Sequence, residues 1–129
     1  MTTDLKIDSI YQVLINVKDL DGAMDFYGGK LGMKFVGKFP PGLAFYNLGG
    51  VQLMVSAIPG ESSGPNNPIY FKVPDIQAAF ETMKSRGVEF THEPHVLHST
   101  DNYELWMAFF NDPEGNLMAI ADERGELGA

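Results

Sequence analysis

The chain contains no cysteine, which excludes disulfides, thiolate nucleophiles, Cys-ligated zinc and iron–sulfur clusters. It also lacks a long apolar run. The longest, Leu105–Phe110, falls well short of the ~18 residues that a membrane helix needs. The opening residues MTTDLKID are polar and acidic, without the charged-then-apolar pattern of a signal peptide. These absences lead to the expectation of a cytoplasmic protein that does not engage membranes. Basic residues are few as well, nine Lys/Arg against 17 Asp/Glu, for a net charge of −8. Phosphate backbones are bound by clustered Lys and Arg, so nucleic acid is not an expected partner. The imbalance lies in the second half: residues 1–60 hold five basic and five acidic groups, residues 61–129 four and twelve. A solvated acidic surface that aids solubility accounts for this, and a field favouring a cationic ligand is the sharper alternative.

What the sequence does have is a repeat. Val17-Lys18-Asp19-Leu20 recurs 56 positions later as Val73-Pro74-Asp75-Ile76. Each copy follows a short β-branched or aromatic run, Val13-Leu14-Ile15 or Ile69-Tyr70-Phe71, that has the character of a strand. Each Asp stands where a helix N-cap would accept from free backbone N–H groups. Leu20, Ala23, Met24 and Tyr27 then fall on one helical face, and Ile76, Ala79, Phe80 and Met83 do the same. Gly32 and Gly87 follow as helix stops. Three strand candidates come next in each half, about 33–39, 43–48 and 51–56, then 88–97, 104–110 and 117–122. The Pro- and Gly-rich stretch 59–67 separates the halves. With 129 residues, one domain is expected, made of module 8–58 and module 68–122. The fold class is α+β, each module being βαβββ.

This pattern, with the Phe110-Asn111-Asp112-Pro113-Glu114-Gly115-Asn116 turn before the last strand, resembles the glyoxalase/bleomycin-resistance/dioxygenase family, also called the vicinal oxygen chelate superfamily. The resemblance implies curved mixed sheets around a cup that holds a ligand, and a homodimer. It does not imply one function, because members include lyases, epimerases, dioxygenases and antibiotic-sequestering proteins. Metal enzymes of the family place His, Gln or Glu at four strand positions, which here are Gln12, Met54, Pro68 and Ala119. A hard divalent cation needs carboxylate or imidazole donors to replace its hydration, and this set offers one neutral carbonyl and a thioether. The expectation is therefore a metal-free cup without a cofactor.

Other residues bear on chemistry more weakly. His92, His95 and His98 lie in one stretch at spacings of three, and on a regular strand only the outer two would share a face. They are surface or strand-end imidazoles, or else His95 and His98 anchor a ligand or move a proton. Glu104 is a further candidate base. Aromatic side chains must supply the walls of a metal-free cup. Tyr70 and Trp106 are the candidates, although either set of the alternating strand 104–110 fits the cavity side. The leading expectation is a protein that binds or sequesters a small organic ligand, through Gln12, Met54, Tyr70, His95, His98, Trp106 and Ala119. The alternative is a lyase or isomerase resembling glyoxalase I or methylmalonyl-CoA epimerase, with His95, His98 or Glu104 as catalytic base. A third is a dimer whose cup has degenerated.

Overall fold

In a computed structural model, residues 5–58 and 66–125 are described. Most of the 59–67 linker, and most of the two chain ends, lie outside them. The first module runs β1 (Gln12–Asn16), α1 (Leu20–Met24) continued by a π-helical segment (Asp25–Lys30), β2 (Lys34–Phe39), β3 (Leu43–Leu48) and β4 (Val51–Ser56). The second runs β5 (Ile69–Lys72), α2 (Ile76–Ser85), β6 (Phe90–Thr100), β7 (Tyr103–Asn111) and β8 (Leu117–Gly125). Each module forms a four-stranded mixed sheet of the same topology, β1-β4-β3-β2 and β5-β8-β7-β6. In both, the first strand lies parallel to the last while the remaining pairs are antiparallel. The repeat in the sequence is thus a repeat in topology.

The helices begin as the aspartates dictate. Asp19 accepts from the Gly22 amide and Asp75 from the Ala78 amide, each at 3.1 Å. Gly32, at φ +69°, and Gly87, at φ +88°, adopt the left-handed conformation that ends each helical segment. The first helix departs from expectation in one respect: it widens after Met24, and the Leu31 amide donates to the Phe26 carbonyl five residues back. Gly28 sits in this widened turn against the Tyr46 ring, where a Cβ would come within 3.1 Å of the ring and its hydroxyl. The π turn and its glycine therefore let Tyr46, 1% exposed, lie under the helix.

Both modules share one core. Ile15, Leu53 and Val55 of the first sheet, Phe26 and Tyr27 of the first helical segment, and Phe110, Met118 and Ile120 of the second sheet belong to a single buried cluster. The Phe26 ring lies 6.2 Å from that of Phe110. Polar contacts also cross between modules. The Asn66 side chain accepts from the Asn16 amide at 2.9 Å and donates to the Asn16 carbonyl at 2.8 Å and the Asn116 side chain at 3.0 Å. Glu114 accepts from the amides of Lys18 and Asp19 just before α1. The F-N-D-P-E-G-N turn is thus a fastener as well as a turn. Asp112 inside it is 5% exposed and accepts from the amides of Glu114 and Asn116, the Asn116 side chain and the Tyr27 hydroxyl.

Candidate ligand-binding face

Strand alternation gives each sheet two faces. One face packs on the helices and holds the core. The other carries no helix, and the residues that the sequence singled out divide between the two.

In the first module the helix-free face carries Gln12, Leu14, Met54 and Phe45. Leu14 pairs with Met54, and Met54 with Phe45 on its other side. Leu53 and Val55, flanking Met54, are completely buried in the core, so a one-residue slip at this position would bring no donor to the open face. Gln12 pairs in register with Gln52, and its carbonyl oxygen accepts from the Gln52 side-chain amide at 2.6 Å. Gln52 is not among the residues that the sequence singles out, although alternation from Met54 leads to it.

In the second module the same face carries Tyr70, Ala119 and Phe109 in one cross-strand row, with His92 beyond Phe109. Ala119 is fully buried between its two aromatic neighbours, which explains why a residue without a longer side chain stands there. Next to this row lie Lys72, Ala121, Met107 and His95, and then Glu123, Leu105 and His98. The three histidines therefore share one side, contrary to the expectation from their spacing. The reason is local: register shifts between His92 and His95, around Pro94, and between Val96 and His98 remove the regular alternation. The His92 and His95 rings stand 5.6 and 6.1 Å from that of Phe109, and the His95 Nδ1 lies 2.7 Å from the Glu93 carbonyl.

Beyond His98 the face ends in a polar group that the sequence did not reveal. The Tyr103 hydroxyl donates to Glu123 at 2.6 Å, Lys72 lies 3.9 Å from the same carboxylate, and the His98 ring is 6.2 Å from that of Tyr103. The hydrogen bond to Glu123, together with burial, holds the Tyr103 pKa above its ordinary value.

Trp106 and Glu104 are not brought to this face. Trp106 pairs with Val96 and Asp122, packs against the core cluster and lies under Arg124, whose guanidinium is 4.7 Å from the ring centre. Its indole N–H donates to Glu104 at 3.1 Å, on the same helix-side surface. The open question about strand 104–110 is thereby resolved: Tyr103, Leu105, Met107 and Phe109 occupy the helix-free face.

At the four positions where the family resemblance would put metal ligands, Gln12, Met54, Pro68 and Ala119, the side chains do not fit a divalent cation. The one amide carbonyl among them is engaged by Gln52. Met54 offers a thioether, while Pro68 and Ala119 have no side-chain donor. Among the described residues, no group of three His, Asp or Glu side chains is placed to hold a metal ion. Among the described residues, no helix is long and apolar enough to cross a membrane.

The sequence matches the profile of the Glyoxalase/Bleomycin resistance protein/Dioxygenase superfamily over residues 9–120, and the chain belongs to this family. Solved structures agree. A superfamily member from Sphaerobacter thermophilus is 26% identical, with a TM-score of 0.73 over 92% of this chain and 99% of that one. A glyoxalase/bleomycin resistance protein/dioxygenase from Alicyclobacillus acidocaldarius is 25% identical, with a TM-score of 0.70 over 89% and 91%. The lactoylglutathione lyase of Agrobacterium tumefaciens shares the fold at 20% identity, with a TM-score of 0.74 over 90% and 94%. No curated protein matches in sequence.

Proposed function

We propose that this chain binds a small organic ligand on the helix-free faces of its sheets, without a metal, and holds it rather than transforms it. One observation carries the reading: the face where the family's metal ligands would stand is instead lined by apolar side chains. Met54 itself stands at one of these positions, and Leu14, Tyr70 and Phe109 pair beside them, where a donor set is missing. Such a surface recognises a ligand by stacking and desolvation, with Gln12, Gln52 and the histidines as polar anchors. Glu123 at the end of the face suits a cationic group on that ligand. The working unit in this reading is a homodimer, whose second copy covers the open faces. Leu14 is 46% exposed, Phe39 52% and Tyr70 54%, and exposed apolar surface of this kind belongs to interfaces and ligand grooves. Neither nucleic acid nor a membrane is a partner in this reading.

The row of histidines favours a second reading, a lyase or isomerase in which His95 or His98 removes a proton next to a carbonyl. Imidazole is suited to that task near neutral pH. Glu104 is placed away from the face, which leaves the histidines as the candidate bases.

A panel of drug-like and metabolite compounds, scored by melting temperature and followed by product analysis, separates the readings. Sequestration gives a saturable stabilisation set by ligand concentration over Kd, with the compound recovered unchanged. Turnover that disappears in His95→Ala or His98→Ala overturns it in favour of the enzyme. A panel without any saturable shift removes both.

A further inference from the structure

A recess adjoins the proposed ligand-binding face and shares Tyr70 and Lys72 with its edge. Its volume is about 710 Å³, and it runs between the two modules along the outer edges of β1 and β5. Its floor is the shared core: Met83, Phe110 and Ile120 are all buried yet border it. Its walls are the half-buried side chains of Val13, Met33, Ile69 and Phe71. A recess of this size lies within the range of pockets that enclose small ligands, about 300–1,000 Å³. Its apolar walls are left partly wet, so a hydrocarbon chain laid against them would remove that surface from water.

The charge around the recess is one-sided. Lys34 and Lys72 both border it, and no carboxylate does. This is unusual for a chain with a net charge of −8. Lys34 has no ion-pair partner among the described residues, and the Lys72 contact with Glu123 is a loose 3.9 Å between side chains that are 81% and 41% exposed. Two ammonium groups beside an apolar trough complement a molecule with an alkyl chain and one anionic end. We propose that this intermodule recess is a second binding site, which takes an amphipathic carboxylate with its chain on the apolar floor and its anion at Lys34 and Lys72. The site meets the helix-free face of the second module only at β5, through Tyr70 and Lys72, and its apolar floor is the intermodule core.

The test is a titration of the full chain with decanoate, observed through isotope-labelled methionine methyl groups. Met33 and Met83 line the recess, whereas Met54 and Met107 occupy the helix-free faces. The proposal expects saturable binding of one decanoate per chain that moves the Met33 and Met83 signals and leaves those of Met54 and Met107 in place. The double variant Lys34→Glu/Lys72→Glu changes only exposed side chains and is expected to bind decanoate at least tenfold more weakly, with decanol binding unchanged. Failure of decanoate to move Met33 and Met83 overturns the proposal, as does movement confined to Met54 and Met107. Equal binding of decanoate and decylammonium overturns the assigned charge. Signals of Met33 and Met83 that move with protein concentration alone would mean that a second copy fills the recess, and would also overturn it.

Discussion

The Tyr27 hydroxyl donates a 2.7 Å hydrogen bond to Asp112, a residue 85 positions away in the other module. Both groups are buried, and Asp112 is otherwise held by its own turn. This bond links the π-helical segment of the first module to the most specific sequence signature of the second. Tyr27→Phe is expected to lower stability by about 1.5–3 kcal/mol, the usual range for a bond to a charged group. Chemical denaturation measures the loss. Asp112→Ala is expected to cost more, because it also strips the turn of its acceptor for two amides.

The same tyrosine sets an alkaline limit. Burial, then the Asp112 carboxylate, pushes the Tyr27 pKa far above its ordinary 10.0. An unfolded chain releases that proton near pH ~10 while the folded chain keeps it, so the unfolded state binds fewer protons above that pH. Stability is therefore flat with respect to this group below pH ~9. Above pH ~10 it falls, by up to about 1.4 kcal/mol per pH unit for this group. Denaturant unfolding at several alkaline pH values is expected to show a shallower decline in Tyr27→Phe than in the unaltered chain. Equal slopes would show that Tyr27 does not resist ionisation.

Asn66 closes the outer edge of β1 with its side chain rather than with a strand. Asn66→Ala removes three bonds at once and is expected to cost about 1–3 kcal/mol in total. Hydrogen exchange at the Asn16 amide, which loses its acceptor, should accelerate well beyond the average for the chain.

Trp106 and Met54 give a contrast that tests the assignment of faces. Trp106→Phe should lower stability by about 1 kcal/mol through lost packing and the lost bond to Glu104, while ligand affinity stays unchanged. Met54→Lys places a charge on the proposed binding surface. It is expected to weaken ligand binding at least tenfold, with little change in melting temperature. A reversed pattern in calorimetric titration would place the ligand on the helix side.

Much of the architecture was legible in the sequence because its signals are local. Asp19 and Asp75 mark helix starts, Gly32 and Gly87 mark stops, and strands 43–48 and 51–56 coincide with β3 and β4. The site was less legible, since membership of a face depends on register. Regular alternation assigns His92 and His95 to opposite sides, and the shift around Pro94 brings them together. Alternation puts Trp106 and Phe109 on opposite faces of their strand, but both are aromatic, so only cross-strand pairing decides which of them packs on the core and which lies on the open face. Tyr103 and Glu123 are 20 positions apart and meet because β7 and β8 extend past the shorter β5. The widened turn at Gly28 likewise depends on Tyr46, on a different element.

A ligand-binding face that works without a metal is tested most directly by the metal content of the purified protein. That measurement should be combined with melting curves in the presence of Ni, Co, Mn, Zn, Mg and Fe ions. A metal bound only by the folded chain must raise the melting temperature in a saturable way. For a metal-free face, no stoichiometric metal and no such shift with any of these ions are expected. One metal per chain, with a saturable shift that Gln12→Ala or His95→Ala abolishes, would contradict that expectation.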